Sequence, residues 1–229
     1  MFEIFQYRMK AYLNTLVVAL FVLACNNDKA PAVQTNPTTG KKDSVVQMKT
    51  IVFFGNSLTA GYGISPSEAF PALIQHKLDS LALPWKVVNA GVSGETSTGG
   101  NSRIDWILKQ PLDIFVLELG ANDGLRGIPL TQTRESLQSI IDKVKAKYPS
   151  AKLVLAGMQI PPNMGPAYIT EFKNIYSGLA AKNKMTLIPF LLEGVGGEEK
   201  LNQEDGIHPT AEGHKIVAEN IWRELMPLL

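Results

Sequence analysis

Three polar residues in two distant parts of the chain have the types and spacing that nucleophilic catalysis requires. Asp205 and His208 lie three positions apart, so both side chains can lie on one side of a single turn. A carboxylate in that position can fix the tautomer of an imidazole and stabilise its charged form. Ser57, just after the apolar run 51–55, is the candidate nucleophile. An ordinary turn remains open on spacing alone, because Asp-Gly is a common turn dipeptide and Pro209 could begin a helix.

Apolar runs alternate with amphipathic segments from Thr50 onward, and this order predicts the fold. Short apolar runs indicate buried strands, and apolar residues at helical spacing indicate helices. We expect strands at 51–54, 86–89, 114–119, 153–156 and 186–188, and helices at 70–81, 100–109, 131–148, 168–184 and 210–226. Right-handed crossovers place helices on both faces of a parallel sheet. The expected fold is therefore a three-layer α/β/α sandwich with a doubly wound, mostly parallel five-stranded sheet of the flavodoxin-like type.

Candidate functional residues follow the first three predicted strands. Ligands bind beyond the carboxyl ends of the strands in such sheets, and Ser57, Gly91 and Asn122 come just after strands one, two and three. The N–H of Gly91 and the side-chain amide of Asn122 could donate to a developing oxyanion. Each segment by itself could be a turn or a cap. Their coincidence on one sheet edge, with Asp205 and His208 in a late loop, favours a catalytic site.

Four sequence blocks resemble those of the SGNH, or GDSL, hydrolase superfamily, and the resemblance spans residues 50–229. The similarity is strongest to the branch of bacterial acyl-CoA thioesterase I, also known as lysophospholipase and arylesterase. The four blocks are GNSL at 55–58, GVSGETS at 91–97, GANDGLRG at 120–127 and DGIHP at 205–209, and MQIP at 158–161 adds to the similarity to this branch.

The resemblance implies a serine hydrolase mechanism. Ser57 would attack an ester or thioester carbonyl while His208 takes its proton, and Asp205 would orient His208. The N–H of Ser57, the N–H of Gly91 and the amide of Asn122 would form the oxyanion hole. The mechanism requires no metal and no organic cofactor.

One position departs from the family pattern, which usually has aspartate where this chain has Asn56. A neutral amide therefore replaces a carboxylate beside the nucleophile. We expect the departure to leave the triad in place and to alter the local electrostatics and the substrate preference.

Other polar residues of the domain are weaker candidates for chemistry. His76 and His214 fall in predicted helices without a carboxylate at an equivalent spacing, and we interpret both as surface or packing residues. Asp123 and Arg126 are expected to shape the loop that carries Asn122.

Apolar residues in the predicted edge loops could form an acyl groove. They are Leu125, Met158, Ile160, Pro161 and Ile207, although ordinary loop packing would explain them equally well. The expected substrates are acyl esters, lysophospholipids or thioesters. Two alternatives are an esterase for acetylated carbohydrates and a catalytically silent, surface-anchored binding module.

The N-terminus has the pattern of a bacterial lipoprotein signal. Basic residues precede an apolar run from Leu13 to Ala24, which is too short for a membrane span and ends at Cys25, the only cysteine. The start could be Met1 or Met9. We expect a signal peptide at 1–24, a lipidated Cys25 opening a flexible tether at 25–49, and the hydrolase domain at 50–229. The protein would then be anchored to a membrane outside the cytoplasm, in the periplasm or at the cell surface, unless an ordinary cleaved signal ends near this cysteine by coincidence.

The composition is that of an ordinary folded globular protein. Lys and Arg number 22 against 21 for Asp and Glu, so the chain lacks the positive field that nucleic acid binding requires. Hydrophobic residues make up 45% of the chain and charged residues 19%, an ordinary balance for a folded protein.

Overall fold

The predicted parallel sheet forms the centre of the structure. A computed structural model describes residues 47–160 and 162–229. In this part of the chain, five strands pair in the order β2-β1-β3-β4-β5, and every pairing is parallel. The strands are β1 (Lys49–Gly55), β2 (Trp85–Gly91), β3 (Ile114–Glu118), β4 (Lys152–Ala156) and β5 (Thr186–Ile188). The expected doubly wound α/β fold is confirmed.

Seven helices connect and follow the strands in the described residues. They are α1 (Ser57–Ala60), α2 (Phe70–Ser80), α3 (Ser97–Ile107), α4 (Ala121–Leu125), α5 (Leu130–Lys147), α6 (Pro166–Asn183) and α7 (Ala211–Leu225), with 3₁₀ turns at 162–164, 199–201 and 226–228. Helix α2 packs against α7, whereas α5 packs against both α3 and α6. Right-handed crossovers put these two groups on opposite faces of the sheet. Helices α1 and α4 were not predicted from the sequence, because they are too short to show a helical period.

Strand β1 supplies side chains to both helix layers. Phe53 meets the ring of Phe70 on α2 edge to face, with 5.5 Å between ring centroids. The next residue, Phe54, points to the opposite face, where it lies beside Phe115 and close to Gly100 of α3. All five residues of β3 are buried, as expected for a central strand of a parallel sheet with both faces covered. Burying one large apolar side chain stabilises the fold by about 1.5–3 kcal/mol.

The register of the central strands brings their carboxyl ends to one level. Gly55 at the end of β1 pairs with Gly91 of β2 on one side and with Glu118 of β3 on the other. A Cβ atom at Gly91 would lie 2.3 Å from the backbone nitrogen of Ala60. The absence of a side chain at Gly91 thus lets α1 lie directly against the end of β2, which fixes the position of Ser57.

The N-terminal expectations fall outside the described residues. These are the signal peptide at 1–24, the lipidated Cys25 and the tether up to residue 46. Residues 47 and 48 precede β1, which begins at Lys49, so the predicted domain boundary at Thr50 lies one residue inside the strand. No helix of the described residues is long and apolar enough to cross a membrane.

Two helical glycines should respond in opposite ways to substitution by alanine. A Cβ at Gly213 in α7 would lie 2.4 Å from the carbonyl oxygen of Leu201, whereas a Cβ at Gly178 in α6 would meet nothing within 4 Å. Gly213→Ala should lower the free energy of unfolding by about 1–3 kcal/mol through overpacking. Gly178→Ala should raise it by about 0.5–1 kcal/mol because alanine favours the helix. Urea denaturation would measure both, and equal stabilisation by the two substitutions would contradict the close packing at Gly213.

Candidate active site

The structure brings Ser57, His208 and Asp205 together in one chain of hydrogen bonds. Ser57 Oγ lies 2.8 Å from Nε2 of His208, and Nδ1 of the same ring lies 2.6 Å from Oδ2 of Asp205. The other carboxylate oxygen, Oδ1, accepts the backbone N–H groups of Ile207 and His208, both at 3.0 Å. The carboxylate is therefore fixed by its own loop while it holds the imidazole.

The charge of Asp205 sets the tautomer of His208. Partial burial acts to raise the pKa of Asp205, but hydrogen bonds from the His208 ring and from the N–H groups of Ile207 and His208 together lower that pKa to about 2. An ionised carboxylate can only accept, so Nδ1 must carry the proton that it shares with Asp205. Nε2 is then left with a lone pair directed at the Ser57 hydroxyl.

Ser57 is held at the start of the short helix α1. Asn56 is the N-cap residue, and its Oδ1 accepts the N–H of Leu58 at 2.9 Å. Ser57 is only 8% exposed, yet it lines the cavity described below. As the first residue of α1, Ser57 has one of the N–H groups that a helix cannot satisfy internally, and that N–H meets no acceptor in residues 47–160 and 162–229.

An aromatic ring that no sequence motif predicted packs against the imidazole. Tyr62 lies beside His208 with 4.7 Å between ring centroids, and about half of the tyrosine is exposed. The Gln203 side chain donates to the carbonyl oxygen of Tyr62 at 2.7 Å and to that of Pro209 at 3.0 Å. Gln203 thus ties the segment after α1 to the loop of the acid–base pair. No sequence pattern marked this contact, because the two segments are far apart in the chain.

Asn122 lies close to the segment that follows β2. Its Nδ2 donates to the carbonyl oxygen of Glu95 at 2.9 Å, which leaves the second N–H of the amide for another acceptor. The next residue, Asp123, is fully buried and accepts hydrogen bonds from the backbone and hydroxyl of Ser97 and from Thr133. These contacts fix the short helix that carries Asn122.

The N–H of Gly91, predicted to be an oxyanion donor, already has an acceptor within the chain. It donates to Oδ1 of Asn89 at 3.0 Å, and the missing side chain of Gly91 makes room for α1 as described above. The N–H of Gly94 is a better candidate, since it meets no acceptor among the described residues. Gly94 has a positive φ of 78°, and its carbonyl accepts Arg126 Nη2 at 3.0 Å. A glycine-rich segment alone could not reveal which N–H is turned towards the site.

A cavity of about 430 Å³ opens beside the nucleophile. Ser57, Asn122 and His208 lie along its wall, and so do Leu125, Met158, Ile160 and Ile207, four of the five residues predicted to line an acyl groove. The fifth, Pro161, lies outside the described residues. Leu125 and Ile207 are 42% exposed at the mouth, whereas Met158 and Ile160 are buried.

Further apolar residues line the cavity that were not predicted from the sequence, among them Phe190 and Leu192. These two residues follow β5 and extend the apolar wall. Their place in the cavity wall could not be predicted, because the segment after β5 contains no recognisable sequence motif. A second cleft of about 590 Å³ lies between α5 and α6 and contains none of the residues of the hydrogen-bonded chain.

The remaining histidines do not serve the site directly. His76 lies on the exposed side of α2. His214 is buried against the ring of Phe70, and its Nδ1 accepts the N–H of Phe70 at 3.2 Å. Burial, followed by the charge of His208, lowers the pKa of His214 to about 4. His214 is therefore a neutral packing residue at physiological pH, as its helical position suggested.

Comparison with known proteins agrees with this geometry. Residues 53–216 match the GDSL-like Lipase/Acylhydrolase family. Esterase TesA of Pseudomonas aeruginosa is 42% identical over 182 residues, which cover 79% of this chain and 90% of that protein. Thioesterase 1/protease 1/lysophospholipase L1 of Escherichia coli K12 is 40% identical over 181 residues, which cover 79% of this chain and 85% of that protein. A solved structure of TesA superimposes with a TM-score of 0.76 at 42% identity and covers 79% of this chain and 100% of its own.

The family match runs from within β1 to within α7 and includes every segment that contributes to the hydrogen-bonded chain. The fold, the serine beside an imidazole and the relatives lead to one conclusion: the chain belongs to the GDSL-like lipase/acylhydrolase family and is a serine ester hydrolase.

Proposed function

We propose that Ser57, His208 and Asp205 form the catalytic triad. The observation that carries this proposal is the continuous chain of hydrogen bonds from Ser57 Oγ through the His208 ring to Asp205 Oδ2. The order of the groups matches their chemistry, because the hydroxyl faces a basic nitrogen and the opposite nitrogen faces an ionised carboxylate. Of the three histidines, only His208 has both contacts.

The reaction follows from this order. Ser57 Oγ attacks the acyl carbonyl while its proton passes to Nε2 of His208, and Asp205 stabilises the imidazolium. The imidazolium then gives the proton to the leaving alcohol or thiol as the tetrahedral intermediate collapses to an acyl-enzyme. A water molecule, deprotonated by Nε2, attacks the acyl-enzyme and releases the carboxylic acid and free Ser57.

Three donors are proposed for the oxyanion. They are the N–H of Ser57 at the start of α1, the second N–H of the Asn122 amide and the N–H of Gly94. Asn122 Nδ2 contacts the residue next to Gly94, so the last two donors lie in neighbouring segments. One donor of this kind is typically worth about 3–4 kcal/mol of the activation barrier.

The proposed substrates are esters and thioesters of medium or long acyl chains, including lysophospholipids. The apolar wall formed by Met158, Ile160 and Phe190 suits an alkyl chain, and Met158 can adapt to more than one chain length. The name of the Escherichia coli relative, a thioesterase and lysophospholipase, supports this class. The acetyl group of an acetylated carbohydrate is too short to fill such an apolar cavity, so the cavity favours the longer acyl chains.

We also propose that the protein is a lipoprotein attached through Cys25 and located outside the cytoplasm. The support is the sequence pattern alone: a basic flank, a short apolar run and a single cysteine at its end. Acyl chains on Cys25 would each contribute about 0.8 kcal/mol per buried methylene to membrane binding. A lysophospholipid substrate would then lie in the membrane that holds the enzyme.

Replacing the nucleophile should abolish hydrolysis. Ser57→Ala should lower kcat for p-nitrophenyl esters by at least about 10⁴-fold, because no other group can form the acyl-enzyme. Ser177→Ala, on the exposed side of α6, is the matched control and should keep wild-type activity. Equal activity in Ser57→Ala and wild type would rule out the proposed triad.

Acyl-chain preference should depend on the residues at the cavity mouth. Leu125→Ser and Ile207→Ser should each lower kcat/KM for an octanoyl ester by about 10-fold and leave that for an acetyl ester within about 2-fold, since only the longer chain reaches them. Leu81→Ser, an exposed leucine outside the cavity, controls for the loss of apolar surface. Equal losses on both esters would contradict the acyl groove, and a wild-type preference for acetylated sugars would support the acetylesterase alternative.

Loss of the cysteine should release the protein from membranes. Cys25→Ala removes the thiol that would carry the lipid, so the variant should move from the membrane fraction to the soluble fraction of cells. Immunoblotting of the two fractions would measure the shift. A soluble wild-type protein would contradict the lipoprotein assignment and leave the catalytic proposal unaffected.

A further inference from the structure

A buried carboxyl group lies directly beneath the turn that carries Ser57. Glu118 ends β3 and is 1% exposed. Its Oε2 accepts the N–H of Asn56 at 3.0 Å and the hydroxyl of Thr59 at 2.8 Å, and its Oε1 accepts Nδ2 of Asn56 at 2.8 Å. It forms no ion pair with a residue of the described part of the chain. Such a group is costly to bury, and the mechanism above makes no direct use of it.

The contacts of Glu118 reach the nucleophile through one side chain. Because Nδ2 of Asn56 is held by Glu118, Oδ1 of the same amide must face the start of α1. There it accepts the N–H of Leu58 at 2.9 Å and lies 3.4 Å from Ser57 Oγ. The two ends of the amide thus connect the end of β3 to the nucleophile.

The backbone around this contact is closely packed. A Cβ at Gly55 would lie 2.4 Å from Oε2 of Glu118 and 2.1 Å from the hydroxyl of Thr59. Any larger residue at this position would displace the carboxyl group. The glycine before Asn56 therefore serves the same arrangement as Glu118.

We propose that Glu118 is a positioning residue that fixes the Ser57 turn through Asn56, and that the Asn56 amide allows it to do so without a shared proton. The inference rests on the proposed role of Ser57 as nucleophile. It also explains what asparagine does at position 56, where the family's first sequence block usually has aspartate. An amide always has an N–H to donate, whereas an aspartate at this position must be protonated to donate.

Charge repulsion explains why the residue type at position 56 matters. Two carboxyl groups at hydrogen-bond distance in a buried site cannot both ionise. An aspartate at position 56 would therefore need to share one proton with Glu118, and the two side chains would separate on losing it. Asn56 removes that requirement.

The wild-type contacts hold in either charge state of Glu118. Burial raises the pKa of Glu118 to about 7, opposed by the hydrogen bonds from Thr59 and Asn56. The Thr59 hydroxyl can rotate to accept a proton added to Oε2, and the contact between Oε1 and the Asn56 amide then remains unchanged.

The titratable groups on neighbouring elements do not replace this contact. Tyr176 of α6 donates its hydroxyl to the carbonyl of Leu119. Burial, followed by the charges of Glu118 and Asp123, raises its pKa well above its usual value, so Tyr176 stays neutral. Arg103 of α3 is paired with Glu95. Asp123 of α4 is held by Ser97 and Thr133.

The test is a set of three variants of the full chain: Glu118→Gln, Asn56→Asp and the double variant. Glu118→Gln leaves one carbonyl oxygen where two oxygens had accepted three hydrogen bonds. In either orientation its new NH₂ group would face an N–H of Asn56, from the side-chain amide or from the backbone. In the double variant, the introduced glutamine donates and the introduced aspartate accepts, so the pair is restored with its polarity reversed. Glu135→Gln, on the exposed side of α5, is the matched control.

Two measurements distinguish an effect on the position of Ser57 from an effect on the stability of the fold. The first is kcat and KM for a p-nitrophenyl ester, measured far below the unfolding temperature of each variant. The second is the rate at which a fluorophosphonate probe labels Ser57, which depends on the nucleophile and not on the natural acyl group. Labelling of wild type and not of Ser57→Ala is required first, and its failure would overturn the proposed nucleophile together with this inference.

We expect Glu118→Gln to lower kcat and the labelling rate by about 10- to 100-fold with KM within about 3-fold. The double variant should recover both rates to within about 5-fold of wild type. Two results would overturn the positioning role once labelling of wild type is established. One is a double variant whose kcat and labelling rate are no higher than those of Glu118→Gln. The other is a Glu118→Gln variant whose kcat and labelling rate equal those of wild type.

The pH profile tests the part played by the Asn56 amide. Asn56→Asp should be active at about pH 6 and should lose kcat as the pH rises towards about pH 10, because its carboxyl pair then gives up the shared proton. Wild type and the double variant should lack this additional alkaline loss. A profile of Asn56→Asp that follows wild type would overturn the role assigned to the amide.

Discussion

The pairing of β1 with its two neighbours is the interaction on which the site depends. Gly55 lies level with Gly91 on one side and Glu118 on the other, so three strands end together at the point where the chain turns into α1. Strands β1 and β3 are buried on both faces at this end, so they cannot shift in register without exposing apolar side chains. The position of Ser57 is therefore fixed by the core of the protein, and the late loop only has to bring His208 to it.

Two carboxyl groups near the nucleophile have different pKa values because their environments differ. Asp205 lies at the surface, receives two backbone N–H groups and the imidazole, and has a pKa lowered to about 2. Glu118 is enclosed by the sheet, and burial raises its pKa to about 7. The first is ionised and can stabilise an imidazolium. The second can exist in either form and is suited to holding a backbone turn in place.

Local sequence patterns predicted those parts of the site that depend on short-range spacing. Asp205 and His208 form one hydrogen-bonded unit because they are three residues apart, and strand order placed Ser57 and Asn122 at the same sheet edge. Leu125 and Ile207 could be assigned to a groove because they lie in the same predicted edge loops as these polar residues. The alternation of strands and helices was sufficient for the fold, since right-handed crossovers leave few arrangements of five parallel strands.

Other parts depend on directions in space that a sequence does not contain. Gly91 was chosen as an oxyanion donor because it follows a strand, but its N–H turns back to Asn89, while that of Gly94 meets no acceptor in the described residues. Tyr62 contacts His208 across a long sequence separation. Glu118 has no motif, because its role arises from a register between strands and from burial. The lipoprotein assignment at the N-terminal cysteine concerns residues that the structure does not describe and stays a prediction.

The loop that carries the acid and base is closed upon itself. Asn202 and Pro209 form an antiparallel bridge, and the N–H of Gln203 donates to the carbonyl of His208 at 2.7 Å. The Asp205–His208 pair can therefore move as a unit without breaking its internal bonds, and the contact of Ser57 with Nε2 would be among the first to be lost. Partial opening of this loop costs less free energy than global unfolding. The catalytic rate would consequently decline under mild heat or denaturant while the sheet is still intact. Activity would therefore report the opening of this loop before circular dichroism reports the loss of secondary structure.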